Sequence, residues 1–153
     1  MIFTKYTKFL ESLKNVYVIS CPKNEDSYHF LESHLKSIIS KYDYINNENL
    51  FQVCAFDNKK LVGVRCFRMK DGKLHLNYSV VDSGYRKIGI NQRMFNLIKN
   101  IAEKNDIQLI TVNVRESNKE SLNSLLKSGF QINTNVDLKY PDGEKKIPLY
   151  FKL

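Results

Sequence analysis

SVVDSGYRKIGINQRMF, residues 79–95, holds two of the six glycines in the chain, Gly84 and Gly89, around the basic run Tyr85-Arg86-Lys87. On its N-terminal side lies the strand-like KLHLNYSVV, and on its C-terminal side the helix-like INQRMFNLIKNIAEKN. A strand that enters a helix through such a turn exposes the first helical N–H groups, which have no intrahelical acceptor, at the positive end of the helix dipole. Gly89 permits close backbone approach and Arg86 and Lys87 add full charges, so the turn reads as an anion site that could hold a pyrophosphate on main-chain amides. It is neither a GxxxxGK[ST] phosphate loop nor a GxGxxG dinucleotide fingerprint, because both patterns are absent.

Outward from this turn, hydrophobic periodicity divides the chain into alternating elements. Downstream, Ile90, Met94, Phe95, Leu97, Ile98 and Ile101 form the apolar stripe of a helix, and QLITVNVR follows as a strand. Strand, crossover helix and strand make a βαβ unit whose second strand runs parallel to the first. The short helix ESLNSLLKS comes next, and FQINTNVDLKY and KIPLYFKL close the chain as a hairpin around Pro141-Asp142-Gly143. Upstream, FQVCAF and LVGVRCFRM form a hairpin across Asp57-Asn58-Lys59-Lys60, and KLHLNYSVV extends it to an antiparallel meander after Asp71-Gly72. The first fifty residues hold a helix at FTKYTKFLESLKN, a strand at VYVIS, and a helix capped by Asp26 or Ser27 that runs through YHFLESHLKSIISKY. Its buried stripe is Phe30, Leu31, Leu35, Ile38 and Ile39, with His29 and His34 solvated or satisfied at the cap. The expected fold is α+β: a mixed, mostly antiparallel sheet flanked by helices, in a single domain over residues 1–153.

Composition agrees and narrows the classes. At 153 residues, 42% hydrophobic and 26% charged, the chain can bury one sizeable core. No run approaches the roughly 18 apolar residues of a membrane span, and MIFTKYTKFLESLKN is too rich in Lys and Glu for a secretory leader, so a cytoplasmic location without membrane attachment is expected. Cys21, Cys54 and Cys66 show no CxxC spacing and sit among apolar residues; they read as buried thiols, with neither a disulfide framework nor a metal site suggested. The net charge of +8 comes from scattered lysines rather than a block, which permits an anionic ligand without specifying a nucleic-acid surface.

Val81 followed by Arg86-Lys87-Ile88-Gly89-Ile90-Asn91 resembles the cofactor motif R/Q-x-x-G-x-G/A of the GNAT acyltransferase family, and Asn118, ESLNSLLKS and Gly129-Phe130 resemble its downstream pattern. The resemblance covers roughly residues 51–153. It implies acetyl-CoA or another acyl-CoA as cosubstrate, its pyrophosphate on the amides of Arg86, Lys87, Ile88, Gly89, Ile90 and Asn91. It also implies a pantetheine arm along Ser79 to Val81, and a contact from Asn118. Asn91 stands where the family has Gly or Ala, and Leu125 where many members have a Tyr that protonates the departing thiolate. Leucine cannot donate a proton, so water, Ser121 or Ser124 would take that part.

Strict strand alternation in KLHLNYSVV puts Leu74, Leu76, Tyr78 and Val80 on one face and His75, Asn77, Ser79 and Val81 on the other. His75 then shares the polar face of Val81 and is the candidate general base, and Tyr78, on the apolar face, is the weaker one. The expected reaction is N-acetyl transfer to a primary amine by direct attack in a ternary complex. The acceptor is a small-molecule amine or a peptide or protein amine; nucleic acid is not the expected partner, and a homodimer is left open. The alternative is a GNAT-fold module that binds CoA or associates with nucleic acid and has lost catalysis.

Overall fold

The computed structural model describes residues 15–153, so the helix expected at FTKYTKFLESLKN falls almost wholly outside them. The described chain runs β1 (Val16–Ser20), α1 (Glu25–His34), α2 (Lys41–Asn46), β2 (Leu50–Asp57), β3 (Lys60–Lys70), β4 (Lys73–Val81), α3 (Ile90–Lys104), β5 (Leu109–Arg115), α4 (Lys119–Lys127), β6 (Gln131–Ile132), β7 (Leu138–Lys139) and β8 (Lys145–Lys152). One sheet holds these strands in the order β1-β2-β3-β4-β5-β8-β6, with β7 also paired to β8. Only β4 and β5 are parallel; the other pairings are antiparallel. This is the mixed, mostly antiparallel α+β sheet expected from the sequence. Among the described residues no helix is long and apolar enough to cross a membrane.

The long helix expected after Asp26 or Ser27 is two helices. Asn24 is the N-cap: its Oδ1 accepts the Ser27 N–H at 2.9 Å, while Ser27 Oγ accepts the Asn24 N–H at 3.1 Å. The helix stops at His34, Leu35 is extended, and Ser40 caps the next helix. Leu35, Ile38 and Ile39 pack against the sheet instead of continuing the helical stripe, and the Ile39 carbonyl accepts a hydrogen bond from Tyr28 Oη at 3.0 Å. Two adjacent β-branched residues have little helical preference to set against that burial. The first arm of the final hairpin is likewise broken into β6 and β7; between them Asn133 Oδ1 accepts the Asn135 N–H at 3.1 Å, a local turn that competes with the ladder.

Helices cover the sheet on both faces. On one, Ile90, Met94, Phe95, Ile98 and Ala102 of α3 pack on Leu74, Leu76, Ile110, Val112 and Leu149. On the other, Tyr28, Leu31 and Tyr44 of α1 and α2 pack on Leu50, Cys54, Val64, Cys66 and Val80. Each large side chain so buried contributes about 1.5–3 kcal/mol.

Strict alternation fails in β4, because Arg65 pairs with Ser79 but Phe67 pairs with Leu76. Asn77 and Tyr78 together oppose Cys66, a bulge that reverses the phase of the strand. Leu74 and Leu76 therefore lie under α3, whereas Tyr78 and Val80 join the opposite core. The expectation that His75 shares a face with Ser79 and Val81 is corrected: His75 is on the side away from α3, and Ser79, which hydrogen-bonds Asn91, is on the α3 side. Period-2 counting cannot register an inserted residue.

Candidate active site

The bulge lies where β4 and β5 part. Their parallel pairing covers only Lys73 to Leu76 against Leu109 to Val112. Beyond it Asn77 to Val81 on one strand and Asn113 to Arg115 on the other line opposite walls of a cavity of about 790 Å³. β4 keeps its partner β3 up to Val81 and β5 keeps β8 up to Arg115, so the facing edges of the two strands are left without a partner where they part. An extended ligand with amide groups could pair with such an edge as a strand would.

At the mouth of this slot stands the α3 N-terminus. Gly89 is its N-cap at φ 87°, and no side chain caps it. The other three described α-helices are capped by the side chains of Asn24, Ser40 and Asn118. Only glycine takes this left-handed conformation cheaply, and no heavy atom lies within 4 Å of where a Cβ would stand. The preceding turn is held in place from three sides. The Asp82 N–H donates to the Val62 carbonyl at 2.8 Å, Tyr85 Oη donates to Asp57 Oδ2 at 2.5 Å, and Arg86 Nε donates to the Val81 carbonyl at 3.0 Å. Lys87 is also left-handed, at φ 64°.

Arg65 of β3 was not singled out from the sequence, where it is one of many basic residues. It is only 5% exposed, lines the cavity, and has its guanidinium 5.4 Å from the Phe95 ring centroid. Nη1 donates to Asn91 Oδ1 at 3.1 Å, Ser79 Oγ donates to the same oxygen at 3.0 Å, and Nε is buried without a partner. Among the described residues no carboxylate lies within ion-pair distance of it. Burial pulls its pKa down to about 10, still charged at neutral pH. A cation beside the positive end of a helix, uncompensated, favours an anion in the cavity. Asn91, which departs from the Gly/Ala pattern, turns its side chain toward Arg65 and Ser79.

Of the residues expected at the cofactor site, Ser79, Val81, Arg86, Lys87, Gly89, Ile90, Asn91 and Asn118 line the cavity. Ile88 does not; it packs against the core under α3. Asn118 uses Oδ1 to cap α4, accepting the Ser121 N–H at 3.2 Å. Leu125 is buried in the cavity wall beside Ser121 and Ser124. His75 is not in the lining, although its neighbours Leu76 and Asn77 are. It is half-buried, with Nδ1 2.8 Å from Thr111 Oγ1 on β5. Burial first, then the charges of Arg68 and Lys146, hold its pKa below the usual imidazole value. Tyr78 lines the cavity despite facing the second core, because the bulge brings it to the slot. Tyr140, with the Arg115 guanidinium 4.2 Å from its ring centroid, reaches the same cavity from the final hairpin. Among the described residues no group of three His, Cys, Asp or Glu side chains gathers as for a metal ion.

A family model described as the acetyltransferase (GNAT) family matches residues 10–130. The fold is similar to that of the ribosomal-protein-S18-alanine N-acetyltransferase from Escherichia coli, with a TM-score of 0.74 at 19% identity over 90% of this chain and 93% of that one. It is also similar to Ard1 from Thermoplasma volcanium, with a TM-score of 0.75 at 15% identity over 91% and 98%. An acetyltransferase from Bacillus subtilis in complex with CoA gives a TM-score of 0.71 at 16% identity over 90% and 99%. No curated protein matches the sequence.

Proposed function

The chain belongs to the GNAT acetyltransferase family, and we propose that it transfers an acetyl group from acetyl-CoA to a primary amine by direct attack in a ternary complex. One observation carries the cosubstrate: an uncapped helix N-terminus and a buried, uncompensated Arg65 share the wall of one cavity, and one anion would satisfy both. The residues fit the group. The amides of Gly89, Ile90 and Asn91 would hold the pyrophosphate, Arg65 would offset its charge from beneath, and Arg86 and Lys87 would do so from the rim. The β4 edge from Asn77 to Val81 would pair with the pantetheine amides. Bound acetyl-CoA supplies the activated acetyl thioester and a thiolate that leaves more readily than an alkoxide.

The proton of the attacking ammonium would pass to His75 through a water at Asn77, since His75 itself stands behind the cavity wall. With Nδ1 engaged by Thr111, Nε2 is the ring nitrogen left to accept it. A pKa held down by burial and by Arg68 and Lys146 keeps the ring neutral, and therefore basic, at neutral pH. His75 lies across the sheet from Ser79 and α3, so the amine comes from the α1 and α2 side while the cofactor enters from the α3 side. His34 and Leu35 at the end of α1, Tyr78 on the bulge and Tyr140 then line the amine's approach. With leucine at position 125, water or the Tyr78 phenol protonates the leaving sulfur.

The buried Leu125 also motivates a second reading, a GNAT-fold protein that binds acyl-CoA without turning it over. Thiol release from acetyl-CoA, measured with an amino-acid amide, a polyamine, a peptide N-terminus and a lysine-rich protein, separates the two. Amine-dependent release with at least one acceptor is expected. Tight acetyl-CoA binding with no release above the amine-free rate would favour the binding module.

A further inference from the structure

A second cavity, of about 460 Å³, lies between α1 and the β2–β3 hairpin and shares no lining residue with the acetyl-transfer cavity. Two of the three cysteines reach it. Cys21, half-buried just after β1, and Cys54 of β2 bring their Sγ atoms within 2.7 Å of each other. Gln52 Nε2 donates to Cys21 Sγ at 3.4 Å. The rest of the wall includes Asp26 and His29 of α1 and Lys59 of the hairpin, with Phe30 and Phe56 as its apolar side. Cys66 is buried on β3 and does not line the cavity.

The surroundings divide the labour between the two thiols. Hydrogen bonding from Cys54, and less so from the Gln52 amide, lowers Cys21 to about 7 against the opposing effect of burial. The same contact raises Cys54, helped by burial, and burial pushes Cys66 up to about 12. A thiolate that is part-exposed, hydrogen-bonded and next to a second thiol is the arrangement that reacts with disulfides, whereas a buried lone thiol is inert.

We propose that Cys21 and Cys54 form a thiol–disulfide exchange site, with Cys21 attacking and Cys54 resolving, and that its substrate class is a small amino-acid-derived disulfide. The ammonium and carboxylate groups of such a molecule match Asp26 of α1 and Lys59 of the hairpin turn, both in the cavity wall. The Cys21 thiolate attacks one sulfur of RS–SR; the S–S bond breaks, and one RS⁻ leaves with the bonding pair and takes a proton from water. Cys54 then attacks the Cys21 sulfur and displaces the second RS⁻, the Cys54 proton passing to that leaving thiolate inside the cavity. Two protein thiols are oxidised to one disulfide and one RS–SR is reduced to two RSH. The site is wired to α1 and α2: Gln52 Nε2 shares its two hydrogens among Cys21 Sγ, the Pro22 carbonyl at 3.1 Å and Ser27 Oγ at 3.2 Å, and Gln52 Oε1 accepts from Tyr44 Oη.

The folded full-length protein is incubated with oxidised glutathione, then acid-quenched, alkylated and mapped by mass spectrometry. The wild type is expected to lose two of its three thiols to a Cys21–Cys54 bridge that dithiothreitol reverses, and Cys66→Ala to behave the same way. Cys54→Ser stops at one glutathionyl adduct on Cys21, and Cys21→Ser gains neither adduct nor bridge. Because Cys54 is buried and its variant could fail to fold, the wild type is also alkylated with iodoacetamide across pH; Cys21 is expected to react first, with a midpoint below the ordinary thiol value. Three intact thiols after treatment of the wild type, an adduct on Cys66, or Cys21 alkylating no faster than Cys66 would overturn the site.

Discussion

The two faces of the sheet are built from different kinds of sequence. Under α3 the working parts are neighbours in the chain: the tied-down turn, the left-handed Gly89, the open helix N-terminus and the Asn91 that holds Arg65. On the opposite face the parts of the proposed amine site come from segments far apart: His75 and Tyr78 from β4, Thr111 and Arg115 from β5, Tyr140 from the last hairpin, and His34 and Leu35 from the end of α1. Phosphate recognition is mostly backbone geometry, which a short motif can specify. Proton transfer to and from an amine needs side chains from several strands in register, which no short motif records. The difference teaches where each face should fail when it is altered.

The largest effect is expected on the face away from α3. His75→Gln should lower kcat by about 10²-fold at saturating acetyl-CoA, leave the Kd for acetyl-CoA unchanged, and abolish the acid limb of the pH–rate profile. That limb should fall below the ordinary imidazole value, since burial and the nearby cations hold the His75 pKa down. Unchanged turnover with a working amine would remove His75 from the chemistry.

The next effect is on the other face. Gly89→Val forces a β-branched residue to φ 87°, a strain of about 1–3 kcal/mol, and should weaken acetyl-CoA binding tenfold or more while lowering the melting temperature. Because no atom crowds a Cβ there, the harm comes from the backbone angle; Gly89→Asn, which tolerates that angle, should recover much of the stability. Equal loss in both variants would put steric blockage in place of strain.

Arg65→Met separates a cation kept for a ligand from one kept for the fold. Removing a buried charge without an acidic partner should leave urea stability the same or higher while weakening acetyl-CoA binding by about tenfold. Lost stability with unchanged affinity would make Arg65 a structural residue. Arg86, exposed and already bonded to the Val81 carbonyl, should matter less: Arg86→Ala should cost about 1 kcal/mol of binding by calorimetry and little stability.

The smallest effect concerns stability against pH. The folded His75 pKa lies below its unfolded value, so as pH falls through about 6.5 the unfolded chain takes up a proton that the folded chain refuses. Its contribution is therefore intact above that range and is lost below it until the folded residue also titrates. Urea unfolding of wild type and His75→Gln, compared between pH 7.5 and 5.5, should show the steeper loss in the wild type; parallel losses would place the folded pKa at the unfolded value.

The sheet, the βαβ crossover and the glycine turn into α3 were legible because each rests on period, turn chemistry or a glycine at a defined place: Asp71-Gly72 and Gly89 both take the positive φ that their positions require. Three features were not legible. The β4 bulge inserts one residue with no compositional mark, and it moves His75 across the sheet and Tyr78 into the cavity. The break between α1 and α2 depends on the second core capturing Leu35, Ile38 and Ile39. Arg65 could be recognised only once β3 had been placed beside the α3 N-terminus. A signal was present in part, since an Arg inside the apolar run LVGVRCFRM must be buried or bulged out, and burial of a lone cation asks for an anion.

That anion is the core of the account, and ligand-dependent thermal stability tests it most directly. With acetyl-CoA, ATP and NADH compared at equal concentration, acetyl-CoA should raise the melting temperature in proportion to its binding free energy, with ATP and NADH giving far smaller shifts. Gly89→Val should shrink the shift given by acetyl-CoA in step with its weaker binding. A wild-type protein that acetyl-CoA does not stabilise, or that ATP and NADH stabilise equally, would contradict the assignment of the α3 turn and its cavity to acyl-CoA.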